Sequence, residues 1–488
     1  MFNSRSEAAR PAETPTAAAT IAVDDLRVGM YIHLDGGWLS HPFARSSFRI
    51  AHVQQIATLR GLKLARVRWS PELSDVDEAP LGRLPAGTGV HIGTAAPSGP
   101  AAPSSKAASS AAATSCATPG VPGTAAPADA HAAASPAATG RLAEEAATAR
   151  RSAALATERL AQQQCEQQFS EATAAWRRAG DVLTADPARA RTQAGALADA
   201  LTDKLMTDGD VGIRLLPVSG NDRAAAHALN VTVVSMLLAR ALGQTREEVS
   251  ELALGALLHD VGKLDLPERV RHVEAGSSAA ELSAYRDHVA RGVAAGRRMA
   301  LPDGALAVVA QHHEHADASG FPQRLSGSQL SLASRIVAIV NRYDNLCNPA
   351  TRTPPLTPHE AVAMLFAHGR SRYDASVLNA FIRMMGVYPA GSLVQLTDER
   401  YAMVVAVNST RPLKPRVLVH EAKVPRSEAL LLDLEREPDV GIRRSLPAAK
   451  VPALALQYLD PRPRVAYFFE PIGSAPETAR SAAEHAEA

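Results

Sequence analysis

Between residues 221 and 388, apolar side chains recur at the 3.6-residue period of an α-helix in HALNVTVVSMLLARALG, REEVSELALGALLHD, ELSAYRDHVARGVAAGRRMA, ALAVVAQHH, SLASRIVAIVNRYDNL and PHEAVAMLFAHG. Segments of this kind bury their stripes against one another, so an all-helical domain is expected over 219–388. After VYPAGS the period falls to two in SLVQL, YAMVVAVN and PRVLVHEA, bounded by Pro and Asn turns. That pattern predicts a compact β module over 389–473.

The upstream half has a different texture. VDDLRVGMYIHL reads as a strand with a turn at Gly29, AHVQQIATLRG as a short helix, and LKLARVRW as a strand with Ala65, Val67 and Trp69 on one face. A small α+β domain over 21–90 follows. Residues 93–139 are almost wholly Ala, Pro, Ser, Thr and Gly, too poor in apolar surface to offset the entropy of ordering, which predicts a disordered linker. Residues 140–218 are rich in Ala, Arg, Glu and Gln and predict a helical stalk or connector. The polar ends, 1–20 and 474–488, are expected to be a disordered arm and tail. The fold class is therefore multidomain: a central all-α bundle, a small N-terminal α+β domain and a small C-terminal β module.

Charge and cysteine content narrow the function classes. Lys plus Arg total 51 against 50 Asp plus Glu, so no basic field exists to hold a phosphate backbone, and nucleic acid is excluded as an expected partner. The N-terminal MFNSRSEAARPAETP lacks the apolar core of a secretory signal, and no window reaches the roughly 18 uninterrupted apolar residues of a membrane span, so a cytoplasmic location is expected. Cys116, Cys165 and Cys347 lie far apart, which excludes a disulfide framework and a cysteine zinc site. A metal here has to use His, Asp and Glu.

The helical region supplies those ligands in order: His227, His259-Asp260, Lys263, His288, His312-His313 and Asp317. Helix ends in a bundle bring separated residues to one centre. A nitrogen and oxygen set of this kind suits iron, manganese or zinc better than magnesium. An isolated His-Asp pair ending an apolar helix is ordinarily a hydrogen-bonded terminus. Lys263, one turn later, changes that, placing a cation beside a carboxylate able to bridge two metals. His312 and His313 diverge by about 100° if both are helical, and are expected to serve two ions that share a phosphodiester displacement. His272, His315, His359 and His368 read as ordinary surface or core histidines.

The run of His227, HDVGK, His288 and HHEHADASGFP resembles the HD-GYP family, the helical HD-superfamily branch that hydrolyses cyclic di-GMP with a two- or three-metal centre; the match covers roughly 220–388. VDDLRVGMYIHLDGGW resembles the small N-terminal domain of unknown function that often precedes it, and VYPAGSLVQL the β segment that follows. The resemblance implies metal ligands at His227, His259, Asp260, His288, His312 and His313, with Asp260 bridging, and a Lys263 that contacts substrate phosphate; Asp260 and Lys263 are then the catalytic pair. It implies two divalent ions, iron or manganese ahead of zinc, with cyclic di-GMP as substrate. Diguanylate-cyclase-type (GGDEF) or other signalling proteins are the expected protein partners, and a homodimer an expected assembly.

Departures from the pattern bear on activity. Phe321 stands for the signature Tyr and Ala318 for a Gly, while Asn341 occupies a metal-ligand Asp position, where a neutral amide oxygen binds more weakly than a carboxylate. CNPATRTPPLTP lacks an Arg-Pro-Tyr-Arg type segment, leaving only Arg352 nearby, and Arg223 replaces an acidic residue, which argues against a third metal. The leading expectation is a phosphodiesterase in which a metal-bridging hydroxide attacks cyclic di-GMP to give pGpG and GMP. The alternatives are a catalytically weak or inactive adaptor that binds cyclic di-GMP or a protein, and a phosphohydrolase of another nucleotide.

Overall fold

A computed structural model describes residues 19–75 and 136–472, apart from 36–40, 42, 44–46, 63, 208, 217–221, 273–275, 352, 409 and 462–463. Nearly all of the expected arm, the linker up to 135, the tail and Arg352 lie outside the described residues. In chain order the elements are β1 (Ala19–Ala22), β2 (Tyr31–His33), β3 (Ser47–Arg49), α1 (Val53–Gly61), β4 (Arg66–Ser70), α2 (Pro136–Val182), α3 (Pro187–Leu205), β5 (Asp210–Leu216), α4 (Arg223–Ala241), α5 (Arg246–Leu258), α6 (Ala279–Arg298) and α7 (Asp303–Gln311). They continue with α8 (Leu332–Cys347), α9 (Pro358–His368), α10 (Ala375–Met385), β6 (Leu393–Leu396), β7 (Tyr401–Asn408), β8 (Arg416–Val419), β9 (Leu430–Asp433), β10 (Ile442–Ser445), α11 (Ala453–Leu459) and β11 (Ala466–Ile472).

The N-terminal strands form an antiparallel sheet of order β1-β4-β2-β3, entered through a turn in which Gly29 takes φ 95°. Ile32, Ile50, Leu59 and Val67 are among the buried residues of this region.

Helix starts in the central region follow local sequence. Thr245 with Glu248, Ser278 with Glu281 and Thr357 with Glu360 form reciprocal capping boxes at α5, α6 and α9, and Asp222 caps α4 by accepting from Ala225 N. These caps fix where each helix begins, and hence where its far end delivers a side chain. α4 is long and apolar enough to cross a membrane by length and composition alone, but most of it is buried against α5 and α8.

Two boundaries differ from the sequence reading. The stretch 140–218 is not wholly helical, because Asp210–Leu216 is a strand; flanked by strong helix formers, its run of consecutive buried residues carries no period-two signal. Its helices pack into the body of the protein: Cys165, Phe169, Ala172, Leu197 and Leu201 enter the same core as α4, α5 and α8. The C-terminal β module, in turn, is not confined to 389–473. Its sheet runs β10-β6-β7-β5-β11, with β8 on β7 and β9 on β8, and β5 pairs antiparallel with β11 from Asp210↔Ile472 to Leu216↔Ala466. Arg214 on β5 is 1% exposed and pairs with Glu158 of α2 and Glu470 of β11. Arg416 on β8 closes the ring at 2.9 Å from Glu158 and 3.0 Å from Glu470. Each charge in the ring is thereby matched, whereas a lone ion buried in that position would be costly.

Candidate metal centre

The side chains that converge here come from the ends or middles of four helices. His227 lies in the second turn of α4, His259 caps the end of α5, and Asp260 leads into a 3-10 turn, Val261–Asp265, that carries Lys263. His288 sits mid-way along α6, and His312 caps the end of α7 with His313 just beyond it. The 3-10 turn approaches α6 so closely because residue 262 is glycine: a Cβ there would overlap the His288 carbonyl oxygen and stand 2.5 Å from Gly292 N.

Ring tautomers follow from partners that only accept. Nδ1–H donates to Ala256 O in His259 (2.7 Å), to Tyr285 O in His288 (2.5 Å) and to Val309 O in His312 (2.9 Å). His227 donates from Nδ1 to Asp344 Oδ2 at 2.6 Å. In the neutral form of these four rings, Nε2 is thus left with an unshared lone pair. These lone pairs face one another in two pairs, His227 with His259 and His288 with His312, each at 3.3 Å.

Two such acceptors repel unless a cation lies between them, and 3.3 Å is the separation expected of nitrogens about 2.0–2.1 Å from one ion. Asp260 stands between the pairs: Oδ2 lies 3.6 and 3.5 Å from His227 and His259, Oδ1 3.5 and 3.6 Å from His288 and His312. Among the described residues, Oδ1 is buried without a hydrogen-bond partner. Two ligand groups result, His227/His259/Asp260 and Asp260/His288/His312/His313, sharing one carboxylate. The residues present fit divalent metal.

Burial alone would raise the Asp260 carboxyl, but Lys263, 2.6 Å away, and the surrounding histidines hold it well below the usual carboxylate range. Asp260 in return raises the Lys263 ammonium against its own burial. Burial lowers His288 to about 4 and keeps His259 and His313 well below their ordinary value.

In metal-free protein this sign sets a pH dependence. The unfolded rings take up protons near 6.5 while the folded ones do not, so stability present above pH 6.5 is lost as pH falls towards 4. Urea unfolding should show a loss of about 3 kcal/mol across that window from His288 alone. A flat profile would mean that the rings are not buried in neutral form.

His312, Asp317 and His272 sit differently from the sequence reading. His312 and His313 fall in one ligand group, not two, because the helix stops at Gln311 and the helical divergence no longer applies; their rings are 4.2 Å apart. Asn341 is buried on α8 with Oδ1 accepting from Asn345 Nδ2 at 2.7 Å, and among the described residues it makes no hydrogen bond to the six others. Asp317 is outside the cluster and accepts from Ser319 N at 3.0 Å. His272, read as ordinary, lines a cavity against the site.

Asp344 went unassigned. It orients His227 and is held in turn by Asn230 and Asn348 at 2.8 Å each. Glu314, also missed, accepts from the backbone N–H groups of Gln323, Arg324 and Leu325 and ties down the Gly-Phe-Pro loop. Its place directly after two histidines was the available signal.

Residues 215–377 match the family model described as HD domain, and residues 19–194 match Domain of unknown function (DUF3391). Among curated proteins, cyclic di-GMP phosphodiesterase PA4108 of Pseudomonas aeruginosa is 28% identical over 48% of this chain and 57% of that protein. The cyclic di-GMP phosphodiesterase response regulator RpfG of Xanthomonas campestris is 30% identical over 31% of this chain and 40% of its own length. The 3'3'-cGAMP-specific phosphodiesterase 2 of Vibrio cholerae is 28% identical over 32% of this chain and 30% of its own. The chain thus spans less than two thirds of each of these relatives. The solved structure of Bd1817, an HDG"Y"P protein from Bdellovibrio bacteriovorus, gives a TM-score of 0.35 at 18% identity over 44% of this chain and 71% of that one.

Proposed function

We propose that this chain, in which an HD-domain match follows a DUF3391 match and such a domain implies divalent metal, is a metal-dependent phosphodiesterase of the HD-GYP family acting on cyclic di-GMP. The observation that carries the reading is the pair of facing imidazole lone pairs on either side of Asp260. The products are pGpG and GMP, and the chain acts in the cytoplasm. His227, His259, Asp260, His288, His312 and His313 would hold two ions, which supply an activated water and screen charge on the phosphate.

The protein's own part is positional and electrostatic. Backbone carbonyls and Asp344 lock the rings of His227, His259, His288 and His312 so that no reorganisation is needed when substrate arrives. Lys263, held by Asp260 and over the Tyr285 ring at 5.2 Å, presents its ammonium to the same cavity and stabilises negative charge on a phosphate there. Partial burial strengthens that interaction relative to water.

The adaptor reading is favoured by Asn341, whose amide is engaged by Asn345. One experiment separates the two: metal content and hydrolysis of cyclic di-GMP in the full chain and in Asn341→Asp. The phosphodiesterase reading expects two divalent ions, linear pGpG as product, and in the variant a rise of at least roughly tenfold in metal affinity with faster turnover. Tighter metal with cyclic di-GMP left intact in both proteins would establish the adaptor.

A further inference from the structure

A cavity of about 330 Å³ opens beside His227, Asp260 and Lys263, and the rest of its wall carries cations that the proposed chemistry does not use. Arg223 comes from the start of α4, Arg271 from the segment after Val270, and Arg464 from just ahead of β11. Arg223 donates to Ala350 O at 3.0 Å, and Arg271 donates to Leu266 O at 3.0 Å. Among the described residues none of the three is paired with a carboxylate. The acids in the wall are already engaged: Asp222 with Arg177, Asp260 with Lys263, and Asp344 with His227.

A chain of net charge +1 thus gathers uncompensated guanidinium groups on one concave surface next to its metal ligands. Each guanidinium offers five N–H donors in a fork that matches phosphate oxygens, and most of these donors remain unspent. The same wall has a flat apolar face. Trp176 of α2 reaches it with its indole fixed, Nε1 donating to Leu257 O at 2.7 Å, and Leu264 lies beside it.

We propose that this cavity is a nucleotide subsite, in which Arg223, Arg271 and Arg464 bind a second phosphate of a cyclic dinucleotide and the Trp176 ring packs against a purine base. This rests on the phosphodiesterase reading, in that the first phosphate lies at Asp260 and Lys263. The cavity volume is at the lower end of small-molecule sites, so it holds one nucleotide half of the ligand and leaves the other towards solvent. The helix that supplies Trp176 lies within the DUF3391 match, so the two matched regions build one binding surface.

The test is calorimetric titration of the full chain, stripped of metal by chelator so that no turnover intervenes, with cyclic di-GMP and with GMP as probes. Arg271→Ala and Arg464→Ala are each expected to weaken binding by about tenfold or more, the loss of a charge-assisted hydrogen bond. Arg464→Lys should recover part of it, and Trp176→Phe should abolish ligand-induced quenching of intrinsic fluorescence. Arg464, which makes no backbone bond among the described residues, serves as the control for a folding defect in Arg271→Ala, since both must keep the wild-type melting temperature. Unchanged affinities in both arginine variants, or no binding of either probe to the wild type, overturn the subsite. Wild-type binding that weakens in the variants, with no hydrolysis after metal is restored, supports the subsite and defeats the phosphodiesterase reading alone.

Discussion

Asp260→Ala is expected to empty both ligand groups at once, while the helical fold stays in place. The carboxylate is the one ligand common to the two groups, and each of its oxygens faces a different pair of imidazoles. Losing a residue that only supports a ligand costs roughly 10–100-fold in metal affinity or activity, so losing a shared ligand should exceed that range. The fold should survive because Asp260 follows the end of α5 and belongs to no apolar stripe. Elemental analysis beside circular dichroism reads both outcomes. Wild-type metal content in a folded variant would sink the proposed centre.

The second large effect is Gly262→Ala, one methyl group added where two elements touch. The new Cβ would overlap the His288 carbonyl oxygen and crowd Gly292 N, both backbone atoms of α6, so no side chain can turn aside to relieve it. Either the 3-10 turn or α6 must retreat. The first carries Lys263 and follows Asp260; the second carries His288. Urea unfolding should show a loss of roughly 2–4 kcal/mol, above the usual cost of overpacking, and metal should be lost with it. Gly195→Ala on α3 is the matched control: its Cβ meets nothing within 4 Å, and the expected change is nil or slightly favourable. Equal stability of the two variants would mean that the close approach at 262 does not exist.

How much of this could be read from sequence depends on whether the signal is local. Helix periodicity and capping pairs such as Thr245 with Glu248 lie within a few residues of one another, and they place the helix ends where histidines occur. The ligand-type residues themselves stand in recognisable order. Three things were not legible. Residues 210–216 show no alternation because the strand is buried on both faces, and its partners lie far along the chain. Asp344, Asn230 and Val465 meet across distant segments, so the support of His227 carries no spacing signature. His272 read as ordinary and Trp176 carried no signal in an alanine-rich helical stretch, and only packing turns them towards the cavity.

The pairing of β5 with β11 also governs how the molecule comes into being. Arg214 and Glu470 are 256 residues apart, so β5, which can pair with β7 once Tyr401–Asn408 is made, still waits for β11 on its other side. At roughly 5–20 residues per second on the ribosome, that interval is on the order of 13 to 50 seconds. Throughout it β5 offers an open edge, and Asn230 lacks the Val465 and Tyr467 backbone groups it bonds in the finished protein. The nascent chain therefore holds all six candidate ligands, His227 to His313, before it holds the segment that fixes Asn230 against Asp344. A ribosome stalled short of residue 465 would carry a histidine cluster without its buttress, exposed to whatever cations and chaperones are nearby.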